Sequence, residues 1–442
     1  MRFHGHARAP RDVAQFLRPL LETPLLVPRD FCISKSESSI AETEIPYSLV
    51  TESAARRPAE KAKAESASEG PEPRSSHNNS FTFLRLCLAL SVVVGHSYIL
   101  GGFGEEPLSH WNHGFTSVRA LAVQGFFILS GYLLTQSLVS RPSLVRFGIR
   151  RLFRILPGYW MALFVTAFVL APWLFAVLSP LRLTYWESLT FRDPNALHYI
   201  SRNFFLWTGQ RSIMPLFLEN HERGQMNGSL WTLLLEAICY AGLALASALG
   251  LLRVRWLPWA AFCALYLLYP IGMYRQLPPI SIGSPSGPLS YVANMLFHPQ
   301  GPEFALAFLS GVCLALTAPP KRFWDLRWMA VAALALAAAV PGGASLILVW
   351  PLAMPYLLLG LGERLPFSRL ERWGDASYGV YIYSFPIQQT LFAFGWAQAG
   401  LACFTALSIG ASLAAGAVSW LLVERPAIGL GQKLITKLRS DR

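Results

Sequence analysis

Two ionisable residues, Arg85 and His96, lie in one apolar stretch of the sequence, and a third, Glu236, lies in another. On an α-helix, a spacing of eleven residues places Arg85 and His96 within about 20° of one face and about 16 Å apart along the axis. Ionisable groups in membrane-length segments are costly and usually functional. Because His96 and Glu236 are expected at similar depths below the outer ends of their helices, we predict a pair in which the carboxylate holds the imidazole as a base.

Each of these residues also has a simpler interpretation. Arg85 suits a snorkelling anchor at the membrane surface, and His96 suits a hydrogen bond between helices. Glu236 has an alternative partner in any arginine within the membrane.

A basic patch precedes the third apolar stretch. Arg150, Arg151 and Arg154 are three or four residues apart near a helix N-terminus. Guanidinium groups and helix N-termini both favour phosphate oxygens, so the patch could bind a phosphorylated ligand. A topology signal that keeps this end in the cytosol explains the same residues.

The amino-acid composition indicates which kind of protein holds these groups in place. Of the 442 residues, 53% are hydrophobic and only 14% are charged, against about 25% charged in soluble proteins. This excludes a disordered chain, a disulfide-stabilised secreted domain and an ordinary cytosolic enzyme. The six cysteines lack metal-ligand spacing, so we expect no metal site.

Apolar segments of membrane-spanning length recur from residue 81 onward, and lipid requires them to be helical. The sequence predicts an all-α polytopic membrane protein with both termini cytosolic, because Lys and Arg concentrate in alternate loops. The net charge of +12 is therefore interpreted as a topology signal, and we expect no nucleic-acid partner. The ten predicted transmembrane helices are 81–100, 117–140, 155–178, 229–251, 256–274, 302–318, 328–341, 343–362, 376–396 and 399–423.

Three regions follow from these segments. Residues 1–80 are predicted to be a disordered cytosolic extension, since 52–79 contains no aromatic residue and is rich in charged and small residues. Residues 81–430 form the transmembrane domain, and 431–442 a basic cytosolic tail. Two long outer connections, 179–228 and 275–301, are expected to fold over an external cavity.

Several motifs together resemble the acyltransferase-3 family of bacterial membrane proteins, and the resemblance covers about 81–430. They are Arg85 with His96 eleven residues later, the 125–131 segment GFFILSG, Arg151-Leu-Phe-Arg154 with Pro157, Ser229-Leu-Trp231 with Glu236 and Tyr240, Ser377-Tyr-Gly-Val-Tyr381, and Val423-Glu424-Arg425-Pro426.

The resemblance implies an enzyme of the bacterial inner membrane that moves an acyl group, usually acetyl, from cytosolic acyl-CoA to a hydroxyl of a surface or exported glycan. It implies no bound cofactor. His96 would take the hydroxyl proton with Glu236 orienting it, or would carry a transient acyl group. The donor would bind Arg85, Arg150, Arg151 and Arg154. Residues expected to contact the acceptor or to pack between helices are Ser130, Trp231, Tyr240 and Gln388.

One position departs from the family. Ser384 follows Tyr381-Ile-Tyr383, where many relatives have a histidine, so a histidine role there does not carry over. Two other functions stay open: a transporter or flippase for a lipid-linked sugar, and a membrane sensor without chemistry.

Overall fold

The computed structural model describes residues 79–178, 194–274 and 300–440, and the regular structure in these ranges is entirely helical. The α-helices are α1 Phe81–Leu100, α2 Pro107–Trp111, α3 Val118–Ser140, α4 Leu144–Val165, α5 Ala171–Leu178, α6 Ala196–Asn203, α7 Trp231–Ala248, α8 Trp256–Tyr274, α9 Gly301–Thr317, α10 Leu326–Ala339, α11 Ala344–Arg364, α12 Ser377–Ala393, α13 Leu401–Ser419 and α14 Arg425–Ser440.

Two π-helical turns keep consecutive helices continuous: Thr166–Leu170 joins α4 to α5, and Trp420–Glu424 joins α13 to α14. Short 3₁₀-helices lie in the connections at Leu251–Arg253, Lys321–Phe323, Val340–Gly342, Ser368–Trp373 and Trp396–Ala399.

Six helical stretches of the described chain are long and apolar enough to cross a membrane. They are Phe81–Leu100, Val118–Ser140, Leu144–Val177, Trp231–Ala248, Ser345–Arg364 and Leu401–Ser440. Three shorter apolar helices are Trp256–Pro270, Gly301–Thr317 and Leu326–Gly342.

Each of the ten segments predicted from the sequence coincides with a helix, which confirms the all-helical character of the described residues. The number of spans and their orientation stay predictions. The largest difference is at α4, which begins at Leu144, eleven residues before the predicted start, because a helix carrying arginines continues beyond the apolar part of the segment. The predicted features of 1–78, 179–193 and 275–299 lie outside the described residues.

Helix α1 packs between α3 and α12, and its contacts show how the residues of these two helices align along the axis of α1. It runs antiparallel to α3: Gly95 faces the Arg119 backbone, where an added Cβ would lie 3.0 Å from the amide nitrogen, and the Phe81 ring lies 5.9 Å from Tyr132. It runs parallel to α12, which starts beside Arg85. We refer to the end of the bundle near Arg85 as the basic end and to the opposite end as the His96 end.

At the basic end, the middle of α4 packs against the first part of α14. Arg154 contacts Glu424, just before α14, and Gly431 lies against Phe153, with an added Cβ 3.0 Å from its ring. This pair forms a wall beside the core of the bundle.

A non-helical segment, 209–230, runs down the side of α12 before α7 begins. Asn220 donates hydrogen bonds to the Gln389 carbonyl and side chain, at 2.9 and 2.8 Å. Seven residues later, Asn227 donates to the Ile382 carbonyl at 2.7 Å, two turns nearer the basic end. Irregular backbone is tolerated at membrane depth when it is buried in protein and its polar groups are paired. Helix α7 therefore starts at Trp231 inside the bundle and not at its rim.

Candidate functional site

The basic end contains a chain of buried ion pairs. Arg85 donates to Asp375 at 3.0 Å, and Arg154 donates to the same carboxylate oxygen at 2.6 Å. Arg154 also contacts Glu424 at 3.2 Å. The Glu424 side chain is fully buried and the Arg154 side chain is 19% exposed. These charges lie on α1, on α4 and in the segments preceding α12 and α14, so the cluster joins four parts of the chain.

Asp375 is the central group of this cluster. Burial alone would raise its pKa, but the guanidinium groups of Arg154 and Arg85 and a hydrogen bond from Ser377 outweigh burial and lower the pKa to about 2. The carboxylate is therefore ionised at neutral pH and fixes both arginines in place.

Arg151 and Arg150 differ from these two arginines. Neither forms an ion pair in the described part of the chain. The Arg151 guanidinium lies over the Tyr240 ring, 6.0 Å from its centroid, and its buried Nε has no hydrogen-bond partner. Both cations are therefore available to an anionic ligand.

Two cavities share the arginines as lining residues. The inner cavity lies among α1, α3, α4, α7 and α12 and has about 700 Å³ of empty space, including space open to solvent. The basic cavity lies on the other side, against α14, with about 780 Å³ measured in the same way. Arg85, Arg151 and Arg154 line both cavities, whereas Arg150 lines the basic cavity.

Glu236 lies in the inner cavity. Its Oε1 accepts hydrogen bonds from the Tyr240 hydroxyl, one turn further along α7, and from Ser130 of α3 at 3.3 Å. The sequence-predicted residues that the structure brings together at this cavity are Arg85, Ser130, Arg151, Arg154, Glu236 and Tyr240.

His96 lies elsewhere. Its ring packs edge-on against Phe385 of α12, with centroids 5.5 Å apart, and its buried Nδ1 has no hydrogen-bond partner. Within the described residues it forms no hydrogen bond with Glu236, so the predicted pairing is not made in this structure. The Oε1 atom of Gln388, on the same turn of α12 as Phe385, is also buried without a partner.

The levels of the helices explain this separation. Gly95, next to His96, faces Arg119, and Ser130 follows Arg119 by eleven residues, about 16 Å along α3. Because α3 is antiparallel to α1, Ser130 lies at the level of Arg85. Glu236 accepts a hydrogen bond from Ser130 and therefore lies at the same level. The predicted similarity of depth assumed that the helix carrying Glu236 begins at the membrane surface, whereas α7 begins inside the bundle.

Two further predicted residues lie outside the inner cavity. Trp231 packs against Phe304, with ring centroids 5.8 Å apart. Gln388 donates to the Val93 carbonyl at 2.9 Å and to Ser97 Oγ at 2.8 Å, and so ties α12 to α1. The Trp231 contact is therefore ring packing, and the Gln388 contacts are hydrogen bonds between two helices.

The sequence did not single out Asp375 and Glu424 as site residues. Asp375 precedes α12, where an acidic residue is ordinarily a helix cap, and Glu424 adjoins Arg425 in the sequence. Their true partners, Arg85 and Arg154, are 290 and 270 residues away. The available signal was an acidic residue two positions before the 377–381 motif and another within the 423–426 motif.

Comparisons with known proteins identify the family of the chain. The acyltransferase-3 family model, described as an acyltransferase domain, matches residues 78–422. The chain is 27% identical over 390 residues to nodulation protein 10 of Rhizobium leguminosarum bv. viciae, covering 84% of this chain and 98% of that protein. It is 28% identical over 357 residues to an O-acetyl transferase of Shigella phage Sf6, covering 79% and 95%. No solved structure matches.

Proposed function

The chain belongs to the acyltransferase-3 family, and from that premise we propose that it transfers an acetyl group from cytosolic acetyl-CoA to a hydroxyl of a glycan at the bacterial inner membrane. The main support for the proposal is that Arg85, Arg151 and Arg154 line both cavities. The phage relative, an O-acetyl transferase, supports acetyl as the acyl group.

The basic cavity suits the phosphates of the donor. Arg150 and Arg151 line it without carboxylate partners, and guanidinium groups bind phosphate through paired hydrogen bonds. Arg85 and Arg154 are held by Asp375, so they shape the passage to the inner cavity. With the basic end in the cytosol, coenzyme A would bind there and extend its thioester towards the inner cavity.

His96 suits the acceptor. Its unpartnered Nδ1 can accept a proton, and it lies at the opposite end of α1 from the donor arginines. Glu236 is bonded to Ser130 and Tyr240, so we place it at the donor side, where it orders the walls of the inner cavity.

The reaction moves the acetyl group from the sulfur of coenzyme A to the oxygen of the acceptor hydroxyl. The acceptor hydroxyl oxygen attacks the thioester carbonyl carbon, and its proton passes to His96. The carbon–sulfur bond breaks as the new carbon–oxygen bond forms, and the coenzyme A thiolate takes up the proton. The products are the acetylated glycan and free coenzyme A.

The test is acetyl transfer by the full chain in proteoliposomes, measured with labelled acetyl-CoA and a glycan extract. A general base contributes about 100- to 10,000-fold, so His96→Ala should lower kcat by that factor while the protein still inserts and keeps its Tm. Retained activity in His96→Ala would remove His96 from the mechanism.

Arg151→Met tests the donor assignment. It should raise the KM for acetyl-CoA by about 10-fold or more, because a hydrogen bond to a charged group is lost. The matched control is Arg327→Met, at an exposed arginine outside both cavities, which should leave KM unchanged. Equal effects of the two substitutions would contradict a specific donor site.

Deletion strains separate this function from a flippase. Loss of the enzyme should remove the acetyl groups and leave the amount of surface glycan unchanged, as measured by NMR of the purified polysaccharide. Loss of the glycan itself would favour transport.

A further inference from the structure

The inner cavity changes from polar to apolar along α3. Val123, Phe126, Phe127 and Ser130 all line it, and their spacing places them on one helix face. Ser130 is bonded to Glu236 at the polar end. Val123 lies seven residues earlier, about 10 Å towards the His96 end.

Phe126 is the aromatic group best placed to close the apolar end. It packs on the small buried cluster of Ala89, Val93 and Val380, and its ring lies 6.0 Å from Tyr381 in an edge-to-face contact. Its side chain is only partly buried, so part of the ring faces the cavity.

The neighbouring Phe127 has a different environment. It is only 3% exposed and stacks on Phe304, with ring centroids 5.0 Å apart. Its position is fixed by α9, and it offers less surface to a ligand than Phe126 does.

Phe126 also lies between the cavity and His96. The cluster on which it packs includes Val93, which precedes His96 by three residues, about one helical turn. A donor that enters past the arginines and extends along α3 towards His96 would therefore bring its acyl group against the Phe126 ring.

We propose that Phe126 determines the size of the acyl group that the enzyme accepts, by closing the apolar end of the inner cavity around the acyl carbons. This inference rests on the proposed acyl-CoA-dependent transfer. The ring leaves space for the two carbons of an acetyl group and restricts longer saturated chains.

The experiment compares acetyl-, propionyl- and butyryl-CoA as donors for the full chain in proteoliposomes, with kcat/KM measured for each. A hydrophobic pocket changes the kcat/KM ratio of two substrates that differ by one methylene by about 10- to 200-fold. Phe126→Ala should therefore raise the butyryl-to-acetyl ratio of kcat/KM by about 10-fold or more, and Phe126→Leu should raise it by less. Phe126→Trp should lower the propionyl-to-acetyl ratio.

The control is Phe83→Ala, which removes another partly buried phenylalanine of the bundle, one packed on Phe367 at 4.3 Å between centroids. It should leave the ratios unchanged. Unaltered ratios in both Phe126→Ala and Phe126→Leu, with acetyl transfer still measurable, would overturn the inference. If Phe126→Ala does not insert, Phe126→Leu decides. Absence of transfer from every donor in the unsubstituted protein would instead contradict the proposed function.

Discussion

The two ends of the bundle treat buried polar groups differently. At the basic end, Asp375 and Glu424 are paired with Arg85 and Arg154, so the carboxylates hold the arginines in fixed positions. At the His96 end, the imidazole Nδ1 and the Gln388 Oε1 are buried without partners. Buried polar groups are normally satisfied. The difference indicates that the ion-pair cluster of the basic end maintains the structure, whereas the His96 end keeps unused hydrogen-bonding capacity, as the unpaired Arg151 of the basic end also does.

The largest effect is expected from removing Arg154, the cation that Asp375 and Glu424 share. Arg154→Met leaves Glu424 without its cation and deprives Asp375 of one of its two. Breaking a buried pair by removing one partner costs about 3–5 kcal/mol. We expect a matching fall in the free energy of unfolding, measured by thermal or denaturant unfolding in detergent.

The matched substitution is Arg150→Met, at an arginine without an ion pair in the described chain. It should change the stability by less than about 1 kcal/mol. Equal losses in Arg154→Met and Arg150→Met would show that the ion-pair cluster does not stabilise the fold.

A smaller effect is expected from pH. The pKa of Asp375 is about 2 in the folded protein and about 3.9 in an unfolded chain. Its ionised form therefore contributes about 3 kcal/mol above pH about 5, and this contribution is lost as the pH falls to about 2. The stability difference between the unsubstituted protein and Asp375→Asn should shrink over the same pH range, as followed by Tm in detergent. A difference independent of pH would contradict the assigned ionisation.

The smallest effect is expected at the His96 end. Gln388→Leu removes two hydrogen bonds to α1 but also removes an unpartnered buried oxygen. These changes largely offset each other, so the stability should fall by about 1 kcal/mol or less, as measured by Tm. A loss as large as that of Arg154→Met would show that the His96 end also serves mainly to maintain the structure.

The helices could be predicted from the sequence because membrane-length apolar runs have few alternatives to a helix. Phe81–Leu100 matches its predicted bounds, and Val118–Ser140 differs by one residue. The inserted segment 209–230 could not be predicted. Its polar composition is typical of an outer loop. Its path along α12 towards the basic end depends on hydrogen bonds to residues that are distant in the sequence.

The sequence predicted several residues that line the site but not the ion pairs that these residues form. Arg85, Arg151, Arg154 and Glu236 do line one cavity. The carboxylate partners of Arg85 and Arg154 were missed because a spacing rule reports only which residues share a helix face. Which helices meet, and at what level, depends on packing between residues hundreds of positions apart, as in the contact of Arg85 with Asp375.

The arginines shared by the two cavities have a consequence for the membrane as an electrical barrier. A cavity on each side of a shared wall inside a bilayer brings a path for protons and small cations close to completion, which would dissipate the membrane potential. Positive charge along a pore repels these ions. Arg85, Arg151 and Arg154 line both cavities, so their positive charge would oppose the passage of cations from one cavity to the other.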